Sequence, residues 1–202
     1  MHRHKPRYRG MSSPTKSTSF EYGCVHGRFQ PPHNGHLEYI NAAFELCKFL
    51  WIGIARYDIR DNQRCDIAKH RSDKTNNPLT YFERTSITTE MLQDSGIDKN
   101  RFGFIPFPID QPERLPDFLP NHIPCFTTVY DEWNRHKITV LKEAGYRVIV
   151  LWEKKEKEVS GQVIRDSIRL GGTLWEAMVP EATKRAVLKL DLQKRLKHLS
   201  SL

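Results

Sequence analysis

Residues 20–55 leave this chain few folds to choose from. Residues 21–26 read as a short strand, and Gly27 then allows the backbone a tight turn close to a ligand. From Asn34 onward, Leu37, Ile40, Phe44 and Cys47 fall at i, i+3, i+7 and i+10, which predicts a helix with one face on a sheet. Residues 49–55 (FLWIGIA) are a continuous apolar run of strand length, the pattern of a parallel strand covered on both faces. Strand, helix and buried strand make a βαβ unit, and residues 27–36 (GRFQPPHNGH) occupy its first turn.

The remaining chain continues the alternation. Residues 56–77 are polar and without periodicity, a long surface loop of a length that is usually functional or disordered. Thr80 and Glu83 form a capping box that starts a helix running to about residue 94, ended by Ser95 and Gly96. Residues 102–107 are a third strand. Pro108, Pro112, Pro116, Pro120 and Pro124 then preclude a long regular element. A fourth strand over 126–130, a helix over 134–144 closed by Gly145, and a fifth strand over 146–152 follow. Ser160 can cap another helix, which Gly171 and Gly172 end, and 181–199 reads as one final basic helix. The pattern predicts a single α/β domain over 20–202, Rossmann-like, with an open, mostly parallel sheet and helices on both faces.

Charge and cysteines narrow the function classes. Five of the eight net positive charges (Arg3, Lys5, Arg7, Arg9, Lys16) fall in residues 1–20, which carry no acid, so the rest of the chain carries +3. Residues 1–19 are therefore expected to be a disordered basic tail. A few anion-binding arginines account for the remainder, and aromatics are not interleaved with basic residues as a nucleic-acid surface requires. No apolar run approaches the ~18 residues of a membrane span, and the tail lacks the apolar centre of a secretory signal. Cys24, Cys47, Cys65 and Cys125 show no paired spacing, which suits free thiols in a reducing cytoplasm.

At the opening turn, His33 and His36 project from one side of a helix's first turn. The amides of Asn34, Gly35 and His36 lack intrahelical partners, and the helix dipole there favours an anion. Gly35 allows close approach to the backbone, and Arg28 offers a planar fork to phosphate. The pair of histidines also fits a surface position or a partial metal site with Cys24 or His26. No convincing third and fourth ligand completes such a site.

Residues 27–36 resemble the GRFQPxHxGH signature of the HxGH nucleotidyltransferase superfamily. Residues 77–84 (NPLTYFER), 159–165 (VSGQVIR), 172–180 and 194–199 (KRLKHL) are similar, in order, to segments of archaeal-type nicotinamide-nucleotide adenylyltransferases. The resemblance implies adenylyl transfer from ATP to a pyridine mononucleotide, nicotinamide or nicotinate mononucleotide, giving a dinucleotide of the NAD type and pyrophosphate. It implies catalytic roles for His33, His36 and Arg165, and ATP contacts from Gly27, Arg28, Phe29, Gln30, Gly35, Ser160, Gln162, Val163, Ile164 and Arg165. It places the mononucleotide near Arg28, Gly53, Ile54, Asn77 and Arg84; Arg114 and Phe118 are the only comparable groups where the family binds the pyridine ring, and Trp133, new to this sequence, could stack on that ring in place of the family's tryptophan. It further implies Mg2+ carried by the ATP phosphates and a homo-oligomer.

The sequence also departs from that pattern. Gln162 replaces a threonine beside the phosphates, the pyridine-binding stretch has no clean counterpart in 111–119, and Tyr130 to Asn134 bring two carboxylates and Trp133. These changes bear on substrate more than on reaction. Alternatives are another phosphomonoester acceptor, CTP as donor, or a dinucleotide-binding protein without turnover.

Overall fold

The computed structural model describes residues 19–58, 74–156 and 158–201. Five strands, β1 (Phe20–Gly27), β2 (Cys47–Ile54), β3 (Phe102–Pro106), β4 (Cys125–Val129) and β5 (Val148–Glu153), form one sheet. The order is β3-β2-β1-β4-β5, and every pairing is parallel. Between them and after them come α1 (Asn34–Phe44), α2 (Tyr81–Asp94), α3 (Glu132–Glu143), α4 (Gly161–Leu170), α5 (Glu181–Lys189) and α6 (Leu192–Ser200). The chain winds outward from β1 through β2 to β3, then returns to the other side of β1 for β4 and β5. The connections diverge at this reversal, and a crevice opens at the strands' C-terminal ends.

Both faces of the sheet are covered, as the apolar run of β2 required. Val25 and Ile52 join Ile40, Ala43 and Phe44 of α1 in one cluster. Cys24 points the opposite way, as successive strand residues must, and joins Phe107, Leu115, Leu141 and Tyr146 in a second. A third cluster ties Ile164 and Ile168 of α4 to Trp175, Val187, Leu192 and Leu196. Burying an aliphatic side chain such as Ile164 contributes roughly 1.5–3 kcal/mol, so α4 is anchored mainly by this face.

The Thr80 capping box is present, with Thr80 Oγ1 accepting from the Glu83 amide at 3.2 Å and Glu83 Oε2 from the Thr80 amide at 2.8 Å. Other boundaries need correction. Cys47 opens β2 and does not end α1, because the helix stops at Phe44 and both patterns bury position 47. Helix α3 starts two residues early, since Asp131 Oδ1 accepts from the Asn134 amide at 2.9 Å. The final helix is two: Asp191 adopts a left-handed φ of 45° and caps α6, a break that a continuous apolar period conceals. The proline-rich stretch holds a short 3-10 turn, Pro112–Asp117, around buried Leu115.

Cys24, Cys47 and Cys125 are buried free thiols. The predicted basic tail through residue 18, most of the long loop and Cys65 lie outside the described residues. Among the described residues no helix is long and apolar enough to cross a membrane.

Candidate active site

The crevice between β1 and β4 is a cleft of about 670 Å³. At one end, β1 delivers the chain into the turn at 27–33. Phe29 takes a left-handed φ of 53° and is fully buried, and its ring lies 4.6 Å from that of His36. His33 is the N-cap of α1, and its Nδ1 accepts from the His36 amide at 3.3 Å. In the neutral ring this bond leaves the proton on Nε2. The two imidazoles stack with centroids 3.7 Å apart. A side chain at position 35 would meet His33 Cε1 at 3.3 Å, so Gly35 keeps this surface open.

The facing wall is the start of α4. Ser160 sits at the cap position without a side-chain cap bond, and Ser160, Gly161 and Gln162 line the cleft. Arg165, only 3% exposed, reaches back across it. Its Nη1 donates to the Gln30 carbonyl at 2.8 Å, and its Nη2 donates to Gln162 Oε1 at 2.7 Å and to Asn76 Oδ1. Gln30 in turn pairs with the backbone of Leu79, Nε2 donating to its carbonyl at 2.8 Å and Oε1 accepting from its amide at 2.9 Å. Three distant segments thus meet at one guanidinium. Two helix starts with open amides, two stacked imidazoles and a fixed cation can hold a polyphosphate and stabilise charge on it.

The rest of the lining comes mainly from β1, β4 and α3. His26, Ile109, Thr128, Tyr130, Asn134 and Lys137 belong to it, with Asp131 beside them. The Tyr39 hydroxyl accepts from the His26 amide at 3.3 Å and donates to the Phe126 carbonyl at 2.5 Å. Burial, then the nearby charge of Lys137, push the His26 imidazole well below its usual range. Among the described residues no group of three His, Cys, Asp or Glu side chains converges as a metal cage would.

Of the residues expected at the site, Gly27, Arg28, Phe29, Gln30, His33, Gly35, His36, Ser160, Gln162 and Arg165 all line the cleft. The others need correction. Arg84 is fully buried, and its guanidinium is spent on backbone carbonyls of Thr80, Arg28, Ala55 and Arg56 at 2.8–3.2 Å. Burial lowers its pKa to about 10. Gly53 is a packing residue, because a Cβ there would lie 2.5 Å from Phe107 Cδ2, and Ile54 belongs to the core. Ile164 is in the third apolar cluster with its amide already bonded to the Ser160 carbonyl at 3.1 Å, and Val163 lies outside the cleft on the same turn. Asn77 is not among the lining residues; its neighbour Asn76 is the one that bonds Arg165. Arg114 is exposed and bonds Gln111 Oε1 at 2.9 Å, Phe118 packs beside the second cluster, and Trp133 lies against His136. None of these three lines the cleft.

Sequence reasoning missed Asn76, Thr128, Asn134 and Lys137. Only the position of the last two on one face of a helix next to a strand end could have signalled them.

Two helix starts facing one cleft at the switch point of a parallel sheet are an arrangement suited to a nucleotide. The cytidylyltransferase-like family profile matches residues 24–166, and the chain belongs to that family of nucleotidyltransferases. It is 37% identical over 175 residues to phosphonoformate cytidylyltransferase of Streptomyces viridochromogenes, covering 87% of this chain and 95% of that one. It is 28% identical over 180 residues to nicotinamide-nucleotide adenylyltransferase of Pyrococcus horikoshii, covering 89% of each. A bifunctional NMN adenylyltransferase/ADP ribose pyrophosphatase of Francisella tularensis shares the fold, with a TM-score of 0.61 at 17% identity. That match covers 90% of this chain and 52% of the other, so this chain spans about half of that protein's length.

Proposed function

We propose that this nucleotidyltransferase moves a cytidylyl group from CTP to a small phosphonate, releasing pyrophosphate. The observation that carries this reading is the make-up of the cleft's acceptor end. His26, Thr128 and Lys137 line it, whereas Phe118 and Trp133, the aromatics a pyridine ring would use, lie outside. The 37% identity to a phosphonoformate cytidylyltransferase across nearly its whole length supports the same acceptor class.

In the reaction, an acceptor phosphonyl oxygen attacks the α-phosphorus of CTP. A new P–O bond forms, the bond to the bridging oxygen of the β-phosphate breaks, and pyrophosphate leaves with that electron pair. A dianionic acceptor needs no activating base at neutral pH. The chain's task is alignment and charge stabilisation. His33 and His36 donate to α-phosphate oxygens, while the amides at the start of α4 and Arg165 hold the departing pyrophosphate. Arg28 closes the phosphate end. Mg2+ carried by the triphosphate would supply further charge neutralisation.

A second reading, adenylyl transfer from ATP to nicotinamide mononucleotide, is favoured by the archaeal relatives at 26–28% identity. Pyrophosphate release with each of four nucleoside triphosphates, against phosphonoformate and nicotinamide mononucleotide, tests both. CTP with phosphonoformate is the expected productive pair. Turnover only with ATP and the mononucleotide would overturn the first reading.

A further inference from the structure

His26 is a buried polar group in the cleft that the hydrogen bonds at the two helix starts do not include. It is 5% exposed, it lines the cleft, and neither ring nitrogen has a hydrogen-bond partner within the protein. Leaving a buried donor or acceptor unsatisfied is costly, so such a side chain persists where something supplies the missing bond. Its position is also built. The ring lies parallel to Phe107, centroids 4.5 Å apart and planes 5° from each other. Phe107 can take that place only because position 53 is glycine. The backbone of His26 is tied to the Tyr39 hydroxyl, which is tied to β4.

Lys137 lines the same cleft, one turn after Asn134 on α3, and lies near enough for its charge to act on the His26 ring. A buried imidazole beside an ammonium stays neutral and keeps one N–H donor and one lone pair. That donor, together with the lysine charge, suits an oxyanion. The phosphate cradle is built by other residues of the cleft, at the starts of α1 and α4, so this second anion site is assigned to the acceptor.

We propose that His26 and Lys137 recognise a second oxyanion of the acceptor, a carboxylate next to its phosphonyl group, and so set acceptor specificity. This rests on the reading of the enzyme as acting on a small phosphonate, and it deepens that reading. A charge-assisted bond in a water-poor site, once removed, weakens acceptor use by roughly ten- to a hundredfold.

The test compares phosphonoformate with methylphosphonate, which lacks the carboxylate, in the wild type, His26→Val and Lys137→Met. The wild type is expected to prefer phosphonoformate in kcat/KM. Either variant should raise the KM for phosphonoformate at least about tenfold and bring the ratio between acceptors toward one, with the KM for CTP within about twofold of wild type. Equal loss for both acceptors, or a shift in the CTP KM alone, would overturn the proposal. Should neither acceptor turn over, the reading of the function fails separately. Calorimetric titration of phosphonoformate and methylphosphonate into the same three proteins then decides the subsite. A carboxylate preference lost in the variants supports it, and equal or absent binding of the two ligands to wild type overturns it.

Discussion

Arg84 Nη1 lies 2.9 Å from the carbonyl oxygen of Arg28 and 2.8 Å from that of Ala55, so one buried guanidinium joins the signature turn to the end of β2. Nη2 adds the Arg56 carbonyl at 2.8 Å. Phe29 and Arg56, the two positions next to these anchors, both hold left-handed backbone. Arg84 is therefore a positioning residue that keeps two strained segments together behind the cleft.

Replacing it by lysine leaves carbonyls that one ammonium cannot span. Arg84→Lys should lose ~2 kcal/mol in urea unfolding, and Arg84→Met more. The KM for the nucleoside triphosphate should rise in both, because the Arg28 turn loosens.

The two signature histidines should separate in their effects. His36→Ala should lower kcat by about a hundredfold or more with little change in stability, as expected where a group acts on transition-state charge. His33 also caps α1, so His33→Ala should lose turnover and ~1 kcal/mol of stability. His33→Asn should regain the stability and not the turnover, a split readable by denaturation and pyrophosphate release.

Asn76 lies outside the cleft lining and bonds Arg165, which lines it. Asn76→Ala should raise the KM for the triphosphate roughly tenfold, the scale of about one hydrogen bond to a charged group, and leave the acceptor KM in place. Restoring a carboxamide with Asn76→Gln should recover part of the loss.

At Gly53, alanine would place a Cβ 2.5 Å from Phe107 Cδ2. Gly53→Ala should cost about 1–3 kcal/mol by overpacking. It should also tilt the ring behind His26 and raise the acceptor KM more than the triphosphate KM.

His26 gives a pH signature. Burial first, and Lys137 second, depress its folded pKa below the unfolded value, so the unfolded chain binds the extra proton. Stability from this group is complete above the ordinary imidazole range and is lost as pH falls, by up to ~1.4 kcal/mol per unit. Urea midpoints at pH 7.5 and 5.5 should converge in His26→Val relative to wild type. An unchanged gap would count against the assignment.

The sheet was readable because its strands are apolar runs and its helices carry stripes, both local patterns. The two helix starts that meet at the cleft were readable for the same reason: Gly27 to His36 and Ser160 to Arg165 are contiguous stretches. Arg84 misled because a conspicuous arginine in a motif looks like a ligand contact, while burial against backbone carbonyls leaves no trace in side-chain chemistry. Asn76 and Asn77 are indistinguishable as letters, and only the reach of Arg165 selects between them. Lys137 was illegible because its relevance depends on β4 lying beside β1, a pairing far apart in sequence.

Gln30 and Arg84 share one habit: each grips main-chain atoms and no side chain of the segments it joins. Such clamps do not depend on the identity of the residues at 28, 55, 56 or 79. Those side chains are left to other tasks: Arg28 lines the cleft, Arg56 pairs with Asp110 at 3.0 Å, and Leu79 packs in the third apolar cluster. A change of side chain along the cleft wall therefore alters what the cleft presents without loosening what holds it in shape.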